Sequence, residues 1–385
     1  MILAGTRCIS SPRRGRIYDR ARALFGNGLA TSDGAHHQRQ RRLLQPAFHR
    51  DRVAGHAAIM GRHARELAES WRPGQLVSID EAMHDLTLRT VVDALFSTEL
   101  DQTVADEIRR LMPVIMNGIA VRMMTPKLMD RWPIPANRRF DSAALRLRQV
   151  VNDMIAAYRA DGPSRAGLLS VLPISRDTHG DGAMTDDEAC DELLSLLLAG
   201  TETPGNTLSW AMHEIARHPE VEHRLHEEID AVLGTGPVTY ADVAELEYTS
   251  RVLNETLRLH PVLMFTRRAT TDTVLGGVHV PAGTEIAFSP YALYRDPGVF
   301  PQPTRFDPDR WLPDRAARLP RESFNPFGIG RHKCIGDTFA WTEMAITLAT
   351  VAARWYLRPA EGHVVREIPA EVTRPNALPM AATPR

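Results

Sequence analysis

The chain has 385 residues, 43% hydrophobic and 24% charged, a composition that excludes a disordered or fibrous protein and leaves room for a large buried core. Its 46 Lys and Arg residues against 47 Asp and Glu give a formal charge of -1, so no overall field favours nucleic acid or an anionic membrane surface. The three cysteines, Cys8, Cys190 and Cys334, are too far apart for a C-x-x-C metal site and odd in number, and the longest apolar stretch runs only from Leu193 to Ala199. These features point to a soluble, cytoplasmic chain with no transmembrane anchor.

The first predicted helix covers residues 32–45 and carries His37 and Arg41 four apart, hence on one face. Arg39 and Arg42 read as a solvated face. From Arg52 to about Ala231, apolar residues recur at three- and four-residue spacing, which predicts a mostly helical region. Breaks at Arg72-Pro73-Gly74, Trp132 to Pro135 and Thr178 to Gly182 are too short to divide it, so residues 1–385 are expected to form one domain.

A long helix is predicted to start at the capping box Thr185-Asp186-Asp187-Glu188. Within it, Ala199-Gly200-Thr201-Glu202-Thr203 sets an acid beside an alcohol in an apolar helix, a pair able to relay protons. Pro204 cannot donate to the Gly200 carbonyl and pushes against it, which predicts a kink there. Leu196, Leu197 and Ala199 are expected to give Thr203 an apolar approach.

Glu255 and Arg258 lie three apart on the next helix, residues 249–261. A short hairpin is predicted after it, with Val278, Val280, Ile286 and Phe288 bracketing the turn Pro281-Ala282-Gly283. From Asp296 to Gly336 the chain has little periodicity, and a loop of that length in a compact domain is expected to be functional. It ends on Phe327-Gly328-Ile329-Gly330-Arg331-His332-Lys333-Cys334-Ile335-Gly336, just before a final helix predicted from Ile335 to about Trp355. The helix start and the cations Arg331, His332 and Lys333 are expected to lower the Cys334 thiol pKa, making the sulfur an anion and a metal ligand. Gly328, Gly330 and Gly336 let the backbone fold tightly and approach something flat.

This last segment resembles the haem-binding loop of the cytochrome P450 family, F-x-x-G-x-R/H-x-C-x-G, with His332 at the basic position, and the family's other signatures occur in order. The resemblance implies a mainly α fold with small β-sheets, apparently lacking the family's usual N-terminal segment. It implies haem b as cofactor, with its iron ligated by the Cys334 thiolate and with Phe327, Gly328, His332 and Gly336 in the binding loop. His37, Arg41 and Arg267 would hold the haem propionates, Arg268 being the alternative to Arg267. Glu202 and Thr203 match the oxygen-activation pair. Pro303-Thr304-Arg305-Phe306 resembles the P-E-R-F element with Thr304 in place of Glu, so that Glu255, Arg258 and Arg305 would form a buried structural network.

The implied activity is insertion of one atom of O2 into a small apolar molecule. No flavin or nicotinamide motif is present, so a separate ferredoxin and ferredoxin reductase are expected to supply electrons. Residues Gly15 to Leu29 and the run Cys334-Ile335-Gly336-Asp337 look like bacterial sesquiterpene oxidases of the pentalenene or albaflavenone type, which implies a terpenoid substrate. The alternative is a non-catalytic, degenerate haem-binding remnant, because the family's opening strands are missing.

Overall fold

The computed structural model describes residues 13–96, 101–160, 184–234, 236–369 and 372–385. Cys8 and the break from Thr178 to Gly182 lie outside them. Among the described residues, ten helices of ten residues or more form the body: α1 (Arg16–Phe25), α2 (Gly34–Leu44), α3 (Arg50–Ser70), α4 (Ile79–Phe96), α5 (Gln102–Met124), α6 (Pro135–Ala160), α7 (Asp186–Arg217), α8 (Pro219–Leu233), α9 (Glu247–Leu259) and α10 (Asp337–Ala352). Among the described residues, no helix is long and apolar enough to cross a membrane.

The interior is built on three of these. α4, α7 and α10 bury residues around most of their circumference, as helices in the middle of a large core do. One hydrophobic cluster, running from Leu24 to Ala382, joins them to α3, α6, α8 and α9. The predicted capping box opens α7: Thr185 Oγ1 accepts from Glu188 N at 3.2 Å, and Glu188 Oε2 accepts from Thr185 N at 3.0 Å. The final helix is shorter than predicted, because Gly336 caps it and Ala353 ends it.

The described residues also form ten short strands, β1 (Arg13–Arg14), β2 (Leu76–Ser78), β3 (Phe265–Arg268), β4 (Thr273–Leu275), β5 (Val278–Val280), β6 (Glu285–Phe288), β7 (Trp355–Pro359), β8 (Glu367–Ile368), β9 (Arg374–Pro375) and β10 (Pro379–Pro384). They make two three-stranded sheets, β1-β3-β6 and β2-β10-β7, and the pairs β4-β5 and β8-β9, all antiparallel.

The predicted hairpin across Pro281-Ala282-Gly283 does not form. β5 turns back on β4 through Gly276 and Gly277, whose φ values of 57° and 84° suit a two-residue turn. β6 goes instead to β3, with Phe265 opposite Phe288. A pair of glycines permits the tight reversal directly. The proline turn only redirects the chain, with Gly283 N donating to Ala269 O at 2.8 Å.

Candidate functional site

Cys334 sits at the end of a loop shaped by its own backbone. Cys334 N donates to Phe327 O at 2.8 Å, Lys333 N to Gly330 O at 3.1 Å and Gly328 N to Asn325 O at 3.0 Å. Gly328 and Gly330 take φ of 72° and 71°, in the left-handed region that favours glycine. The Gly336 N–H donates to the sulfur at the start of α10. Phe327 meets Trp341 of α10 edge-on, with ring centroids 6.4 Å apart.

The cysteine is exposed, whereas Cys190 lies fully in the core, where burial pushes its thiol up to about 11. The expected lowering of the Cys334 pKa is not found in the protein alone. The surrounding protein raises it, and this outweighs the Gly336 N–H and the charges of Arg41 and Lys333, with Asp337 adding to the rise. The cations and the helix start are present, but Lys333 is drawn off to Asp337 at 2.5 Å.

α2 clasps this loop. His37 Nε2 lies 3.2 Å from Arg331 O, Arg41 Nη1 donates to Lys333 O at 2.5 Å, and the His37 and His332 rings lie 4.2 Å apart. His332 faces Asp33 at 3.6 Å. The i,i+4 spacing of His37 and Arg41 thus brings both predicted residues to the cysteine loop. Asp33, at the start of α2, was missed because nothing in the sequence marks it.

On β3, neighbouring side chains point to opposite faces, and the two arginines part company. Arg268 pairs with Asp19 at 2.9 Å and Glu285 at 3.3 Å. Arg267 has no carboxylate partner among the described residues, and its Nη1 donates only to Thr266 O. That leaves Arg267 as the arginine able to take a ligand's negative charge.

The buried network forms with a different third member. Arg258 makes a bidentate pair with Glu255, at 2.9 and 2.8 Å, and donates to the carbonyls of Tyr294, Pro303 and Arg305. Arg305 contributes only that carbonyl, because its guanidinium is exposed and reaches Gln302 at 3.4 Å. Arg310 takes the place expected for it, donating to Glu255 at 3.3 Å with Trp311 Nε1 at 2.9 Å and Asp307 N at 3.0 Å. The P-x-R-aromatic pattern occurs twice, at Pro303 to Phe306 and again at Pro308-Asp309-Arg310-Trp311. The second copy was the missed signal, and it lies where a 3-10 turn folds Arg310 inward.

α7 runs continuously through Pro204, and Thr203 Oγ1 donates to Ala199 O at 3.1 Å. Leu196 and Ala199 share the open face with Thr203, but Leu197 is buried on the core side and does not join the approach. α4 packs tightly along α7. A Cβ on Gly200 would come within 2.9 Å of Val91, and one on Gly205 within 3.0 Å of the His84 ring. Across this seam His84 Nε2 faces Glu202 Oε2 at 3.6 Å, and Thr87 Oγ1 donates to Thr201 O at 3.0 Å. No periodicity points to His84, since its partner lies on another helix.

Residues 5–379 match the family described as Cytochrome P450. The chain belongs to the cytochrome P450 family. It is 43% identical to cyclooctat-9-en-7-ol 5-monooxygenase of Streptomyces melanosporofaciens over 97% of this chain and 82% of that protein. It is 39% identical to pentalenene oxygenase of Streptomyces avermitilis, over 96% and 83%. The heme domain of cytochrome P450DA superposes with a TM-score of 0.86 at 25% identity, over 97% of this chain and 84% of that one. This P450 is accordingly a haem-thiolate monooxygenase, a family whose iron is held by a cysteine.

Its residues fit that cofactor. An exposed sulfur stands beside a glycine-shaped loop with a backbone N–H on it, and β3 carries an arginine with no carboxylate partner among the described residues.

Proposed function

We propose that this P450, acting as one domain, uses Cys334 as the haem ligand to insert one oxygen atom of O2 into an apolar terpenoid alkene or alcohol. The observation that carries the ligand assignment is the contrast between the two described cysteines: Cys334 is exposed just before a helix start, and Cys190 is buried in the core. Cytochrome P450 haem supplies O2 activation, with thiolate donation favouring O–O cleavage.

The chain's own groups divide the remaining work. Gly336 N–H holds the sulfur as an acceptor. Arg41, His37 and Arg267 would carry the propionates, Arg41 and His37 exchanging the loop carbonyls they now bind for carboxylate oxygens. Glu202 would bring protons to Thr203, and the Thr203 hydroxyl would present them on the face it shares with Leu196 and Ala199. The buried hub around Glu255 holds the segment leading to the cysteine loop in register.

Support for the substrate class comes from the relatives, which are named for cyclooctat-9-en-7-ol, cyclooctatin and pentalenene chemistry. We further place the chain in the cytoplasm, with a separate ferredoxin and reductase delivering electrons near exposed Arg331 and Lys333. The alternative of a degenerate remnant has no observation in its favour.

The deciding measurement is the absorption of the reduced, CO-bound protein. The wild type and Cys190→Ala are expected to show the strongly red-shifted thiolate band, and Cys334→Ala to lack it. A normal band in Cys334→Ala overturns the assignment.

A further inference from the structure

We infer that His84 on α4 is a positioning residue that holds a single exchangeable proton against Glu202, so that the Glu202–His84 pair, and not Glu202 alone, is the proton store behind Thr203. This rests on the proposed relay through Glu202 and Thr203.

The tautomer of His84 is set within its own helix. His84 Nδ1 lies 2.7 Å from the carbonyl oxygen of Asp80, one turn back on α4. A carbonyl only accepts, so Nδ1 carries a proton in either charge state of the ring. The remaining nitrogen, Nε2, points at Glu202 Oε2 across 3.6 Å. Without a further proton, this places an imidazole lone pair opposite a carboxylate oxygen, two acceptors with nothing between them. With one proton the pair becomes either imidazolium and carboxylate or imidazole and carboxylic acid, and both are attractive. The geometry therefore favours one proton on the pair, carried by one partner or the other.

Charge acts the same way. Among the described residues the charged groups that act on His84 are Glu202 from α7 and Asp80 from its own first turn, both anionic. Asp85, next in the chain, is engaged by Arg89 and Arg109 and is not directed at the ring. Burial opposes the charged form, but the Glu202 carboxylate, followed by the Asp80 carbonyl and carboxylate, outweighs it and raises the His84 pKa above its ordinary value. A lysine or arginine in this position would face Glu202 with a charge that does not change near neutral pH. A histidine can release its proton near neutral pH.

The seam fixes where that proton sits. Gly205, three residues after Glu202, leaves the space the imidazole fills, since a Cβ there would lie 3.0 Å from His84 Cδ2. Thr87, one turn along α4, is tied to the Thr201 carbonyl at 3.0 Å. Glu202 and Thr203 are adjacent in the chain, and the side chains of His84 and Glu202 are 26% and 18% exposed, so the pair can be refilled from solvent. In the proposed step His84 Nε2–H passes its proton to Glu202, Glu202 passes one on toward Thr203, and Nε2 regains a proton from water. Nδ1–H is unchanged throughout.

The test uses the haem-loaded protein in its reduced, CO-bound form, with 15N-labelled histidine and His84 assigned by the loss of its signals in His84→Gln. The expected neutral tautomer is Nδ1–H, with Nε2 titrating above the ordinary value of about 6.5. Glu202→Gln should weaken proton binding at Nε2 by roughly tenfold or more, which is one pKa unit. Product formed per nicotinamide cofactor consumed should fall with rising pH in the wild type. It should be nearly pH-independent in His84→Lys and low at every pH in His84→Gln. A neutral Nε2–H tautomer, an unmoved titration in Glu202→Gln, or a wild-type pH profile in His84→Lys overturns the inference. Thr203→Ala separates the two readings. If it leaves coupling unchanged, the relay itself is wrong. If it uncouples while His84→Lys keeps the wild-type profile, only the role of His84 fails.

Discussion

Glu255 on α9 and the acids of α7 use the same functional group for opposite ends. Glu255 is fully buried and accepts from Arg258 twice, Arg310, Trp311 and the Asp307 N–H, five donors that occupy both of its oxygens. On α7, Glu202 has one charged partner among the described residues, a histidine that can lose its charge. Glu192, also fully buried, accepts from Leu29 N at 2.8 Å through Oε2, while Oε1 reaches no donor among the described residues. A carboxylate whose two oxygens are both taken up by fixed donors is held in place and therefore locks geometry. An undersatisfied one keeps acceptor capacity that nothing fixed has taken up. The protein places the first kind beneath the segment that leads to the cysteine loop, and the second kind along the helix that carries Thr203.

The largest effect should come from breaking the saturated hub. Glu255→Ala strands Arg258 and Arg310 in the interior and is expected to cost about 3–5 kcal/mol, with loss of haem occupancy. Arg310→Ala should approach that figure. Arg305→Ala, which removes only an exposed guanidinium, should stay within about 0.5 kcal/mol. Denaturant titration of the three variants ranks them, and equal losses for Arg305→Ala and Arg310→Ala would contradict the assignment of Arg310 to the hub.

Glu192 probes the undersatisfied side. Burial raises its pKa to about 8, from the ordinary 4.5. Between those values the folded state keeps a proton that the unfolded state has released, so the contribution to stability is complete below pH 4.5 and declines as pH rises toward 8. Wild type should lose on the order of a few kcal/mol relative to Glu192→Gln between about pH 5 and pH 8. Unfolding midpoints of both proteins across that range check it, and parallel pH curves would mean that Glu192 is ionised in the fold.

A smaller difference is expected on β3, where one arginine is committed and its neighbour is not. Arg267→Ala should weaken haem retention by roughly tenfold, the equivalent of one charge-assisted contact. Arg268→Ala should leave haem retention unchanged and slightly loosen the contact with Asp19 and Glu285. Haem transfer to an excess of a haem-scavenging globin, followed by absorbance, measures both rates. A faster loss from Arg268→Ala than from Arg267→Ala would reverse the assignment.

Local patterns in the sequence were sufficient for several of these features, because they depend on contacts within a few residues. The Thr185–Glu188 box starts α7, the three-residue spacing of Glu255 and Arg258 makes their bidentate pair, and the four-residue spacing of His37 and Arg41 aims both at one target. The glycines around Cys334 announce a tight loop for the same reason. Where the sequence offered two equivalent candidates, only packing chose between them. Two P-x-R-aromatic runs compete for Glu255, and the one that enters is the one whose arginine a 3-10 turn delivers to the buried face. Two adjacent arginines compete on β3, and strand alternation sends them to different surroundings.

The hairpin was misplaced because Pro281-Ala282-Gly283 and Gly276-Gly277 are both turn signals, and pairing with the distant β3 decided which one closed a strand pair. The Cys334 thiol was expected to be acidic from its neighbours in the chain, yet its pKa is raised, because the protein packed around the loop disfavours the charged form more than those neighbours favour it. His84 had no mark at all in the sequence. Its role rests on a helix–helix seam, where the absence of a side chain at Gly205 lets an imidazole reach a carboxylate on another helix, and a relation of that kind exists only once the chain has packed.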